Sequence, residues 1–234
     1  MTDLDYGQFE ALTFDCYGTL IDWEAGILAG LRRVLATRAV DPPDDELLEA
    51  FARVEARLES GPYLRYREIL GRCVREVAAD YAVAPVVAEV AAFADSVGNW
   101  PAFPESIEAL ERLQFRYRLG VITNCDDDLF ARSAKRLQTE FDWVVTAQMA
   151  HGYKPNPHNF EVAFERIGLP RERILHVAQS LFHDHVPAKE LGLTTVWIDR
   201  RAGRPGSGAT PPAKAKPDAT FPDMASFAEA ATSG

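Results

Sequence analysis

Four short polar groups follow apolar runs in this chain, and each carries a side chain able to do chemistry. In Phe14-Asp15-Cys16-Tyr17-Gly18-Thr19-Leu20 a carboxylate ends the apolar run Ala11–Phe14, and Gly18 allows a tight turn around it. A carboxylate held in place is a competent nucleophile. Thr123-Asn124 ends a second run and offers a hydroxyl and an amide for hydrogen bonding. Tyr153-Lys154-Pro155 follows a third run with an ammonium group, and Ala178-Gln179-Ser180 ends a fourth, just ahead of His183-Asp184-His185. Zinc needs three or four convergent ligands, and no further His or Cys joins that last cluster, so no metal is expected.

These groups act together only if the runs are neighbouring strands. The runs Ala11–Phe14, 119–123, Trp143–Thr146, Ile174–Ala178 and 195–198 are short and rich in β-branched or aromatic residues, as buried parallel strands are. Helical patterns separate them. Ile107, Leu110 and Leu113 share a face, Phe160, Ala163, Phe164 and Ile167 follow i, i+3, i+4, i+7 spacing, and Asp126 to Asp128 place negative charge ahead of another helix. The alternation predicts an α/β fold with a doubly wound, Rossmann-like parallel sheet, whose ligands bind beyond the carboxyl ends of the strands. Residues 22–99 break the alternation. They contain no strand pattern and read as four helices, one with the stripe Leu47, Leu48, Phe51, Val54 and Leu58. The expected organisation is a core of residues 1–21 and 100–234 with an all-helical cap, 22–99, inserted after strand one; Trp100-Pro101 marks the return. Residues 200–217, rich in Gly, Pro and Lys, read as a mobile surface loop.

Composition narrows the classes. A formal net charge of −10 over 234 residues argues against nucleic acid, whose phosphates need a basic face. Three cysteines, Cys16, Cys73 and Cys125, without CxxC spacing read as reduced thiols. No apolar run reaches the roughly 20 residues of a membrane span, and the acidic N-terminus lacks signal-peptide features, so a cytoplasmic location is expected.

The order of the four groups, acid after strand one, Thr-Asn after strand two, Lys-Pro after strand three and a polar, acidic loop after strand four, resembles the haloacid dehalogenase superfamily over nearly the whole chain. The Asp-x-Tyr-Gly-Thr form and Tyr-Lys-Pro are similar to the type II L-2-haloacid dehalogenases. The resemblance implies that Asp15 attacks the carbon bearing a halogen, forming an ester that water hydrolyses. It makes Lys154, Asp184 and Thr19 the other catalytic residues, with Tyr17, Thr123, Asn124, Ser180 and Gln179 binding substrate. The family's loop-four Ser and Asn fall where this chain is shifted by one residue, so Gln179, Ser180 or His183 takes those roles. The family also holds the substrate carboxylate with a cap arginine, for which Arg53, Arg57, Arg65 and Arg67 are candidates, with Arg53 carried forward. The implied partners are a small anionic substrate and a halide, no cofactor, and a possible homodimer.

Tyr17 bears on the choice of reaction. Phosphatases of the superfamily carry a second Asp there to protonate an alkoxide. A phenol of ordinary pKa about 10 serves poorly as that acid, whereas a halide leaves without a proton. Hydrolytic dehalogenation of a 2-haloalkanoic acid is therefore the expected function. A magnesium-dependent phosphatase or strained-ring hydrolase on the same nucleophile is the first alternative, and a non-catalytic binding protein the second.

Overall fold

In the computed structural model of the chain, residues 4–36, 38–204 and 206–233 are described. Six strands, β1 (Ala11–Phe14), β2 (Arg118–Thr123), β3 (Trp143–Thr146), β4 (Ile174–Ala178), β5 (Thr194–Ile198) and β6 (Ala219–Phe221), form one sheet in the order β3-β2-β1-β4-β5-β6. Every pairing is parallel. Every residue of β1 and β4 is buried, as strands covered on both faces must be. β1 pairs with β2 on one side and β4 on the other, so the winding direction reverses at its carboxyl end, which is where open α/β sheets bind ligands. The five expected strands are all present. β6 has only three residues, none fully buried, and offers too little pattern to read from sequence.

Between β1 and β2 lie α1 (Trp23–Ala36), α2 (Asp44–Glu59), α3 (Tyr66–Asp80) and α4 (Val87–Ala94), and no strand is assigned to the described residues 22–99. The α2 stripe is as expected, with Leu47, Leu48, Phe51 and Val54 buried, but Glu55 is buried on the same face. The chain enters and leaves this helical block side by side, through an antiparallel bridge between Ile21 and Ala102. Trp100 is buried at the exit, its ring edge-on to Tyr17 with centroids 5.8 Å apart.

The remaining helices are α5 (Ser106–Gln114), α6 (Asp127–Leu137), α7 (Ala147–Ala150), α8 (His158–Ile167), α9 (Val186–Glu190) and α10 (Met224–Thr232). Asp126 departs from expectation. It precedes α6, yet its carboxylate accepts hydrogen bonds from the backbone N–H of Tyr66 (3.0 Å) and Arg67 (3.1 Å), so it caps α3 across the molecule. Residues 200–217 also differ from the mobile loop expected. Arg200 donates to the Thr19 carbonyl at 2.6 Å, pairs with Glu105 and lies over the Phe103 ring. Arg201 binds Glu24 and Asp45, and Ala209 and Thr210 are buried. The polar composition of this segment disguises two arginines, Arg200 and Arg201, whose charges are used in contacts with the block, with Glu105 and with β1's loop.

Asp126 is fully buried, so its removal strands two helix N–H groups. Asp126→Ala is expected to lower stability by about 1–2 kcal/mol or more, the range for a lost N-cap, in denaturant unfolding. An unchanged midpoint would show that the cap across the molecule contributes nothing.

Candidate active site

Asp15 follows β1 and stays in the ladder, its N–H donating to Val177 O at 3.1 Å. The next turn doubles back through Gly18, at φ +95°; a Cβ there would come within 3.0 Å of Trp23 and 3.1 Å of Gln179. The turn brings Thr19 under the carboxylate. Thr19 Oγ1 donates to Asp15 Oδ2 at 2.8 Å and accepts from the Gln179 N–H at 2.9 Å. Lys154 arrives from the loop between α7 and α8. Its three ammonium hydrogens meet three acceptors, Asp15 Oδ1 at 2.9 Å, Asp184 Oδ1 at 2.6 Å and Ile122 O at 2.7 Å. Asp184 in turn accepts from His176 Nε2 at 3.1 Å, and the other nitrogen of that ring meets Thr13 Oγ1 at 2.9 Å.

Asn124 fixes where Lys154 lies. Its amide oxygen accepts from the Lys154 N–H at 2.8 Å and its amide nitrogen donates to the Lys154 carbonyl at 3.0 Å, imitating a strand partner just beyond β2. The same nitrogen reaches Glu59 Oε2 at 3.2 Å.

Burial sets the charges. Asp15, Lys154 and Asp184 are 6%, 1% and 0% exposed. Desolvation raises the Asp15 pKa above the ordinary carboxylate value, and Asp184 adds to the rise; Lys154 and Thr19 oppose it. Desolvation also raises Asp184, but Lys154 and His176 outweigh it and hold that carboxyl low. For Lys154 burial works against the charge, yet the two carboxylates together keep its pKa above the usual value. Of the two acids, Asp184 is the more firmly ionised, and Asp15 is the more basic.

A cavity of about 30 Å³ opens on Asp15, Lys154 and Asp184. Of the expected residues, Tyr17, Asn124 and Ser180 also line it. Tyr17 presents its ring rather than its hydroxyl, which is spent on Ser133 Oγ (2.9 Å) and Cys125 Sγ (3.4 Å). Ser180 Oγ accepts from the His183 N–H at 2.8 Å and lies 3.1 Å from Nδ1 of that ring. Three expectations need correction. Thr123 is buried with its hydroxyl unpartnered and does not line the cavity. Gln179 does not line it either: its N–H holds Thr19, its carbonyl takes the Trp197 indole at 2.8 Å and its side-chain oxygen takes Thr210 at 3.2 Å, so it positions the turn that follows Asp15. Arg53 is largely exposed and faces Asp80 at 3.7 Å. Arg57 pairs with Glu76, Arg67 with Asp95 and Asp128, and Arg65 is exposed. None of the four lines the cavity.

Its far side is formed instead by Trp23 of α1, Glu55 and Glu59 of α2, Tyr66 of α3, and Thr210. Tyr66 Oη donates to Glu55 Oε1 at 2.7 Å. Burial pushes the Glu55 carboxyl up to about 8, against that hydrogen bond. Burial and Glu55 push Glu59 well up, against Lys154 and Asn124. The sequence did carry a signal for Glu55, an acid four residues after Phe51 within the apolar stripe. Thr210 carried none, because it lies in the Gly- and Pro-rich segment. His183 and His185, pulled down to about 4 chiefly by burial, are neutral near pH 7. His185 Nε2 goes to Ala178 O, so His183, Asp184 and His185 diverge, and no group of three metal-ligating side chains is arranged for an ion among the described residues.

The raised acids give a stability test. A carboxyl with a folded pKa of about 8 binds a proton that the unfolded chain, near the ordinary value of about 4.3, has lost. Stability must therefore fall as pH rises towards about 8. The neutral histidines oppose this only below their ordinary pKa of about 6.5. Melting temperature is expected to drop between about pH 6.5 and 8, and Glu55→Gln to flatten the drop. An identical slope in the variant would place the ionisation elsewhere.

Comparison with known proteins agrees with this geometry. Residues 9–181 match the family model of the haloacid dehalogenase-like hydrolases. The chain is 25% identical over 199 residues to a haloacetate dehalogenase of Moraxella sp. (strain B), covering 82% of this chain and 87% of that protein. It is 30% identical over 109 residues to haloacid dehalogenase-like hydrolase domain-containing protein 3 of Danio rerio, spanning 45% of each. The fold superposes on the L-2-haloacid dehalogenase of Xanthobacter autotrophicus with chloropropionic acid covalently bound, with a TM-score of 0.77 at 17% identity, covering 94% of this chain and 97% of that one. With the match running through β1 to β4 and the loops that carry Asp15, Asn124, Lys154 and Ser180, the chain belongs to the haloacid dehalogenase-like hydrolases.

Proposed function

We propose that this hydrolase dehalogenates a small 2-halo compound through an ester on Asp15, with the helices of residues 22–99 acting as the cap. The observation that carries the reading is a buried carboxylate at the switch point of the sheet, raised in basicity by burial and held by Lys154 and Thr19. In the first step an Asp15 oxygen bonds to the carbon and the carbon–halogen bond breaks, the electron pair leaving with the halide. In the second, water adds to the ester carbonyl, the alkoxide is expelled and protonated, and the Asp15 carboxylate returns. The dehalogenase names among relatives support carbon–halogen cleavage. So does Tyr17, whose bonded hydroxyl has a pKa pushed well up by burial and gives no acid for an alkoxide leaving group. The relatives' names point to 2-haloalkanoic acids, such as haloacetate, as substrates. The second reading, magnesium-dependent phosphate-ester hydrolysis, is favoured by one atom: Asp184 Oδ2 is buried without a hydrogen-bond partner.

Halide release from 2-chloro substrates is expected to persist in EDTA; release of phosphate from esters, strictly with magnesium, would favour the second reading. After single turnover in heavy-oxygen water, mass spectrometry should find label in Asp15, and label confined to the product would remove the ester. Asp15→Asn should abolish turnover, and Lys154→Met should lower kcat by about a hundredfold or more, the usual scale for a lost charge-stabilising group. Because the nucleophile must be ionised and its pKa is raised, kcat/KM should fall with acid from above the ordinary Asp value of about 3.9. A profile flat to that pH would contradict an Asp15 of raised pKa.

A further inference from the structure

The far side of the cavity carries information that the nucleophile does not. An anionic substrate needs a cation opposite the reacting carbon, and no arginine lines this cavity. The single ammonium there, Lys154, is already committed to Asp15, Asp184 and a carbonyl. Facing it are two carboxyls, Glu55 and Glu59, one helical turn apart on α2 and both pointing into the same space. Tyr66 takes one oxygen of Glu55 and Asn124 one oxygen of Glu59, so each carboxyl keeps a second oxygen for a ligand. A carboxylate brought between them would meet acids on both sides with no uncommitted counter-charge.

A second feature points to a ligand at this place. His183 lines the cavity, and its Nε2 is buried with no hydrogen-bond partner; Glu59 Oε2 lies 3.7 Å from it. The ring is neutral near pH 7, so this is not an ion pair, and the gap is one that a ligand atom can fill. Glu59 also borders a second cavity of about 350 Å³, lined by Tyr63, His151 and Phe182 among others, which shares Glu59 and Lys154 with the inner one.

We propose that Glu55 and Glu59 are the specificity-determining residues of this site, and that they hold a hydrogen-bond donor of the substrate, an uncharged amide or hydroxyl or an ammonium group, in place of a carboxylate. The proposal rests on Asp15 as the reacting group and changes the substrate class from haloacid to a 2-halo compound with a donor group. Burial opposes the charge of both glutamates, and a donor, above all an ammonium, draws them into the ionised form that accepts its hydrogen bonds, whereas a carboxylate could be held only with both protonated.

The test separates recognition from reaction. Propionate and propionamide have nearly the same shape, propylammonium is slightly smaller, and none carries a halide to displace. Titrated by ligand-observed NMR or calorimetry, propionamide or propylammonium should bind at least about tenfold more tightly than propionate. In Glu55→Gln/Glu59→Gln the preference over propionate should shrink to about twofold or less. Whichever of the two donors binds better tells a neutral substrate group from a cationic one. Propionate binding as tightly as both, or no binding by any ligand at about 100 mM, overturns the proposal. Halide release is read independently: 2-chloropropionamide should outrun 2-chloropropionate. If neither releases halide while the binding order holds, dehalogenation fails and the donor site stands.

Discussion

One buried ammonium organises this protein. Lys154 lies almost fully out of water, where an unpaired charge would be prohibitive, and it is tolerated because each of its three hydrogens has an acceptor of fixed position. Removing one partner from such a group typically costs about 3–5 kcal/mol, so the geometry tolerates little drift. The partners come from three strands' ends, Asp15 after β1, Ile122 in β2 and Asp184 after β4, and only a parallel sheet wound in opposite directions from β1 brings those ends together. His176, Asn124 and Thr19 add the bonds that hold the partners themselves. Fold and chemistry are thus one constraint: the sheet order exists at the point where the charge must be satisfied.

That constraint explains what could be read from the chain alone. The strands and the groups that follow them are local in sequence, so Asp15, Lys154 and Asp184 were legible as polar residues after apolar runs, and the sheet's geometry does the rest. The helical block was legible as an absence of strand pattern. What could not be read are the pairings that leave no local mark. Asp126 looks like the acid ahead of its own helix, yet its carboxylate serves α3, sixty residues away. Gln179 and Thr123 sit where substrate-binding residues belong, but one turns its backbone to Thr19 and the other is enclosed. Arg53 has the right chemistry on the right helix and the wrong face of it, since α2 points its Leu48, Phe51 and Glu55 side inward.

The segment after β5 shows the same limit from the other direction. Its composition, rich in Gly, Pro and basic residues, is that of a solvated loop, yet Arg200 and Arg201 reach Glu105, Glu24 and Asp45, and Thr210 comes to rest on the cavity. Composition reports how a segment behaves when it has no partners. Here the partners are acids on α1, α2 and ahead of α5, which a reading of the segment itself does not see. Through these contacts the carboxyl-terminal part of the core is tied to both the helical block and the loop that holds Asp15.

The two walls of the cavity then differ in what they can vary. The floor is a closed set of bonds in which Asp15, Lys154 and Asp184 each depend on the others, so a change there loses the charge balance. The helical wall is tied to that set by fewer bonds. Glu55 and Glu59 sit on a helix held by Leu47, Leu48, Phe51 and Val54, and their partners are Tyr66 and Asn124, of which Asn124 in turn holds the Lys154 backbone. Burial raises both carboxyls, Glu55 to about 8, which lessens the cost of placing two acids in this wall. An ion triad fixed by the strand ends, beneath a helix held mainly by its own apolar face, leaves the wall freer to change than the floor.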